Sequence, residues 1–296
     1  MPSNQRRAVR GALWLLLASM LAVSIAPAAA ADPGTAIEPL PVSPSGVEPV
    51  PPPSAEADAE TYAHCMKLAR EDPHAAQALA QSWGRKGGAH PADHCAAVAL
   101  IALGKYKEGA TRLQSLAQAM VTAPATLRAG VFDQAGQAWL LAGAPVRAYA
   151  AAGEAVALAP GDAELLIDRA EAAAAAGYFD RAVGDLDHVL QKDPNQVEAL
   201  VYRASAYRAL DRLDPARADI DRALAAAPHS VAALLERGNI RRLEGDRDGA
   251  RRDWEEVGRL APGSAADMAA RANLEHLAEA PGAVPAAAPV GKAPSP

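Results

Sequence analysis

Four prolines set the frame for this chain. Pro160, Pro194, Pro228 and Pro262 follow one another at intervals of 34 residues. A spacing held that strictly marks one supersecondary unit copied in tandem. Ala148, Ala182, Ala216 and Ala250 keep the same interval, each twelve residues before its proline. Gly143, Gly177 and Gly245 mark a turn five residues before three of these alanines, and Asp211 stands there in the remaining repeat.

Each repeat holds two stretches of helical periodicity. In the third they run over about 196–210 and 213–226. The first stretch turns Leu200, Ala204 and Tyr207 to one face and the second turns Ala216, Ile220 and Ala223, separations that belong to one side of a helix. The proline cannot continue the helix before it, so each repeat stops cleanly. Half of the residues are apolar but only 4% are aromatic. Alanine, the best helix former, supplies much of the apolar share, and strand formers are sparse. The expected fold is all-α.

The last three repeats carry a finer pattern. It reads Arg169-Ala170, Ala182, Asp185, Asp187, Pro194, then Arg203-Ala204, Ala216, Asp219, Asp221, Pro228, then Arg237-Gly238, Ala250, Asp253, Glu255, Pro262. On these residues the repeats starting at Ala129, Ala163, Val197 and Val231 resemble the tetratricopeptide repeat, in a protein of exported bacterial type. The resemblance covers 129–262. It implies an α-α superhelix, a solenoid of stacked antiparallel helix pairs.

Outside those repeats the pattern loosens. Residues 58–125 are repeat-like but irregular. Leu103–Ala117 reads as a turn and second helix with Gly109 in place of the fixed alanine, offset by about five residues from the next repeat, so a longer loop is expected near Thr122–Pro124. Helices are expected over 60–71 and 74–86, with Pro73 between them. Residues 263–279 read as a capping helix that covers the last apolar face.

Residues 1–31 have the three parts of a secretory leader: Arg6, Arg7 and Arg10, an apolar run from Gly11 to about Ala26, and small residues with cleavage expected near Ala30/Ala31. A periplasmic or secreted location follows, without stable membrane insertion after cleavage. Residues 32–57 are dense in proline, which favours an extended spacer or a disordered tether. Residues 280–296, rich in Ala and Pro, are expected to be disordered. Removing a leader with three Arg and no acid takes the net charge from −6 to −9. A chain that acidic is ill suited to nucleic acid or to anionic lipid.

Cys65 and Cys95 are the two cysteines, each preceded by histidine and 30 residues apart. In an exported chain two cysteines read as one disulfide. If both lie on first helices of successive helix pairs, their Cα atoms can approach to disulfide range. Free thiols remain open, as does a metal or redox site that adds His64, His90 and His94, although the spacing fits no zinc motif.

Arg169/Asp185, Arg203/Asp219 and Arg237/Asp253 each lie 16 residues apart, one partner on each helix of a repeat. The first repeat has Ala135 and Ala151 at those places. Partners that vanish together read as structural ion pairs that set helix register. No nucleophile elbow, phosphate-cradling loop or paired catalytic carboxylate is present, so no catalytic residue, resident metal or cofactor is assigned.

The resemblance implies a concave groove lined by the second, fifth, ninth and twelfth positions of each repeat. These are Gly130, Asp133, Gln137 and Leu140; Glu164, Ile167, Glu171 and Ala174; Glu198, Val201, Ser205 and Arg208; then Ala232, Leu235, Asn239 and Arg242. The groove is expected to be acidic in its early repeats and basic at Arg208 and Arg242, over an apolar floor of Ile167, Val201 and Leu235. Only Asn239 matches the carboxylate clamp of chaperone-binding relatives, and Asp133 and Glu164 oppose it. The expected function is a non-enzymatic adaptor that holds a peptide or helix of another protein, one of the cell envelope. A structural spacer or assembly factor that works through the convex face or the proline-rich tether is the alternative from a different class.

Overall fold

In the computed structural model the described residues are 55–279. The leader, nearly all of the proline-rich stretch and the Ala/Pro tail fall outside them. Among the described residues there are thirteen helices and no strand: α1 (Ala55–Glu71), α2 (Pro73–Arg85), α3 (Ala89–Ala102), α4 (Tyr106–Ala119), α5 (Ala125–Leu141), α6 (Pro145–Leu158), α7 (Ala163–Ala175), α8 (Phe179–Lys192), α9 (Val197–Ala209), α10 (Leu213–Ala226), α11 (Val231–Glu244), α12 (Arg247–Leu260) and α13 (Ala265–Glu279). None is long and apolar enough to cross a membrane. α1 opens at Ala55, so the last three residues of the stretch read as linker are helical.

Local chemistry explains the boundaries. Asp72 caps α2 by accepting from the Ala75 amide at 3.0 Å, and Pro73 fills the first helical position, where no amide hydrogen is needed. Asp162, Ser230 and Asp246 cap α7, α11 and α12 in the same way. The turn inside a helix pair needs a left-handed residue. Gly143, Gly177 and Gly245 supply it with φ of +66°, +78° and +88°, and Asp211 takes the same conformation at +59°. Aspartate is one of the few side chains that tolerate this region, which accounts for the one repeat without glycine.

The described residues form two compact units, 55–189 and 190–279. In the first, α1/α2, α3/α4 and α5/α6 are antiparallel pairs, and first helices also meet: α1 lies against α3 and α5 against α7. In the second, α9/α10 and α11/α12 are pairs, α9 lies against α11, and α11 against α13. The fixed alanines are at most 1% exposed, small enough to let paired helices approach closely. At one crossing the approach is closer still. A Cβ on Gly238 would lie 2.4 Å from the buried Trp254 indole, so this repeat trades the alanine of Ala170 and Ala204 for glycine to admit a larger partner. α13 begins 34 residues after Val231 and continues the phase as a further first helix.

Candidate functional site

The row of side chains along the first helices divides by compact unit. In 55–189, Asp133 and Gln137 sit on α5, and Glu164, Ile167 and Glu171 on α7. Gln137 Nε2 donates to Asp133 Oδ2 at 3.0 Å and reaches Asp168 Oδ2 on α7 at 3.5 Å. Asp133, Glu171 and Ile167 are buried, while Glu164 is exposed in the first turn of α7.

A second polar link runs through the same layer. The Tyr62 hydroxyl lies 2.9 Å from His94 Nδ1, and His94 Nε2 lies 2.8 Å from Gln134 Oε1. Because an amide oxygen only accepts, a neutral ring satisfies both contacts by carrying its proton on Nε2. The link joins α1, α3 and α5. Burial holds the His94 imidazole below its ordinary value, against the Gln134 hydrogen bond, which acts to raise it. Burial likewise pushes the Tyr62 phenol up.

In 190–279, Glu198 is half-buried, and Val201, Ser205, Leu235 and Asn239 are buried. Arg208, expected to make its part of the groove basic, has its charge taken up by a neighbouring carboxylate. Its Nε donates to Glu236 Oε1 at 2.5 Å, and its Nη2 lies 3.4 Å from Ser205 Oγ. Burial works against the guanidinium charge, but the adjacent Glu236 charge and hydrogen bond outweigh it and raise the Arg208 pKa. Asn239 Nδ2 donates to Glu236 Oε2 at 3.1 Å, and Asn273 Nδ2 donates to Asn239 Oδ1 at 3.0 Å. The network thus links α9, α11 and α13. Arg242 stands exposed. Ile167, Val201 and Leu235, read as an apolar floor, belong to the buried core at 0%, 6% and 5% exposure.

The residues missed in the row were Gln134, Asp168 and Glu236, together with Asn273. The first three share the sixth position of their repeats, and Asn273 repeats Asn239 at the 34-residue interval. That period was the available signal.

The arginine–aspartate pairs are bidentate. Arg169 reaches Asp185 at 2.8 and 2.5 Å, Arg203 reaches Asp219 at 2.8 and 2.7 Å, and Arg237 reaches Asp253 at 3.0 and 2.7 Å. Asp253 also accepts from Arg241 Nη1 at 2.8 Å. The aspartate hydrogen bonds raise the Arg169 and Arg237 pKa against the pull of burial. In the first repeat the same places hold Ala135 and Ala151, both fully buried.

Cys65 on α1 and Cys95 on α3 have sulfurs 1.98 Å apart and Cα atoms 6.1 Å apart. Both are on first helices of successive pairs. They lie in a core of Ala69, Ala76, Ala80, Ala96 and Ala99, with Met66, Leu68, Leu79 and Val98 at its border. Among the described residues no three His, Cys, Asp or Glu side chains gather in a way that could hold a metal ion. The chemistry on offer is hydrogen bonding and charge.

Paired helices in strict 34-residue phase, with a fixed small residue at each crossing, define an α-helical repeat protein. Its fold is the tetratricopeptide-repeat fold. A tetratricopeptide repeat protein from Parabacteroides merdae is similar with a TM-score of 0.55 at 12% identity, over 76% of this chain and 87% of that one. A thermophilic repeat protein of the same kind from Thermus thermophilus is similar with a TM-score of 0.51 at 19% identity, over 64% of this chain and 99% of that one. No family model and no curated protein matches the sequence.

Proposed function

We propose that the chain is a non-enzymatic interaction module of the bacterial cell envelope that binds an extended peptide or a helix of another protein along its first helices. The observation that carries this reading is the row of polar side chains on those helices. Within each compact unit its members are tied laterally, Gln137 to Asp168 in 55–189 and Arg208 to Glu236 to Asn239 in 190–279, so each stretch is preorganised by itself at little further entropic cost to a ligand. Glu164 is an exposed charge of the stretch in 55–189, and Arg242 is one of the stretch in 190–279. Export is supported by the basic and apolar leader pattern and by the cysteine pair at bonding distance. Because those sulfurs are bonded to each other, thiolate ligation of a metal would first require their reduction.

Glu164→Lys and Arg242→Glu, made separately, test the reading by cross-linked capture from native envelope. Each is expected to weaken partner capture by about tenfold, with the helical circular dichroism spectrum unchanged. Capture undiminished in both variants would overturn the reading.

A further inference from the structure

Three successive turns in the unit 55–189 present a second surface, away from the first-helix row. The turn between α3 and α4 carries exposed Lys105 and Lys107 around half-buried Tyr106. The turn between α5 and α6 carries exposed Val146 and Arg147, the latter 4.8 Å above the Trp139 ring. The turn between α7 and α8 carries Tyr178, in edge-to-face contact with Tyr149, and Arg181 lies over both rings at 5.3 and 5.5 Å. A depression of about 360 Å³ joins the first two turns, lined by Lys105, Tyr106, Lys107, Glu108, Leu141 and their neighbours. Val146 and Tyr178 are 58% and 38% exposed, large apolar groups left in solvent on one edge.

The charges on this edge are as telling as the rings. Lys105, Lys107 and Arg147 form no ion pair among the described residues, in a chain with 35 acidic side chains. Unpaired cations beside the accessible rings of Tyr106 and Tyr178 suit an extended, acidic, proline-containing strand. Rings stack on prolines, a polyproline helix loses little entropy on docking, and carboxylates meet the cations. The sequence contains such a strand. Residues 32–54 hold eight prolines and three acids, Asp32, Glu38 and Glu48, with no Lys or Arg. They join α1 at Ala55. At roughly 3.1 Å per residue in a polyproline helix the segment reaches about 70 Å. α1, at 1.5 Å per residue, is only about 25 Å long, so the segment can pass along it to the turn edge.

We propose that this turn edge is the docking surface for the chain's own acidic, proline-rich segment, residues 32–54. Zero-length carbodiimide coupling of the purified protein, residues 32–54 intact, followed by peptide mass spectrometry, tests it. The expected result is amide links from Glu38 or Glu48 to Lys105 or Lys107, at least fivefold over links to Lys86 and Lys192, and falling at least fivefold in Arg147→Glu/Arg181→Glu. Links spread evenly over all lysines would overturn the proposal. So would links that survive the charge reversal. Mixing isotopically heavy and light protein separates a strand of the same molecule from a strand of a second copy, and heavy–light hybrid links would overturn the assignment to the same molecule. None of these readouts involves the first-helix row, so they stand or fall independently of the interaction function proposed above.

Discussion

Arg208 and Glu236 meet across α9 and α11 in an ion pair of 2.5 Å, with the Glu236 side chain only 8% exposed. Two residues 28 positions apart, in different repeats, thereby fix the position of two first helices within one compact unit. Arg208→Ala leaves the Glu236 charge buried beside Asn239 alone, and should cost about 3 kcal/mol of stability in urea unfolding. Arg208→Met with Glu236→Leu should recover most of that loss, because an apolar pair carries no uncompensated charge. A small effect of the single variant would show that water reaches Glu236. For the same reason Arg208→Glu is a poor probe of ligand binding, since it would place two carboxylates together.

The pair of Arg203 and Asp219 yields a related but sharper test. Asp219 is 5% exposed and Arg203 15%. Asp219→Ala alone should destabilise by about 3 kcal/mol, whereas Arg203→Ala with Asp219→Ala should cost markedly less. The first repeat already carries that double substitution as Ala135 and Ala151. A double-mutant cycle by chemical denaturation gives the coupling. A coupling near zero would remove these pairs from the scaffold.

Reduction should loosen α1 and α2 before the rest of their unit. The core around the disulfide is mostly alanine, and each alanine buries little area, so the Cys65–Cys95 link contributes a large share of stability there. A loop of this length corresponds to about 3–4 kcal/mol in the chain-entropy model. Cys65→Ala/Cys95→Ala should therefore speed amide exchange in α1 and α2 first, with α5 to α7 little changed. Uniform exchange rates would contradict this. Thiol titration of unreduced, unfolded protein should find no free thiol.

Acid should loosen the same region. His94 is held neutral by burial, below its ordinary value. The unfolded chain takes up the His94 proton at higher pH than the folded chain does. The stabilisation is therefore fully present above the unfolded pKa of about 6.5 and is lost as pH falls below it. His94→Gln removes the titrating group between Tyr62 and Gln134. The melting temperature of the variant should depend less on pH between about 5 and 7 than that of the parent. Parallel curves for the two proteins would show that His94 is not the group responsible.

Much of this was legible in one dimension. The 34-residue period placed α9 and α10 to within a residue, since proline, glycine and alanine act on the backbone of their own turn and need no distant partner. The Arg169, Arg203 and Arg237 pairings could be read because each joins the two helices of a single repeat at constant separation. The first turn of α5 could not: Ala125–Arg128 precede the repeat phase and carry no periodic mark. Nor could the fate of Arg208 be read from its own position, which only says that it lies on a first helix.

By itself the sequence determined the helix pairs, their turns and their phase, because those follow from local conformational preference repeated at a fixed interval. The tertiary structure alone decided which polar groups face one another between repeats. Gln137 meets Asp168, His94 meets Gln134, and Glu236 takes up Arg208. It also decided that Ile167, Val201 and Leu235 are core. The physical reason is that burial and charge pairing depend on the distance between helices, and that distance is set by packing over many small contacts rather than by any one stretch of chain.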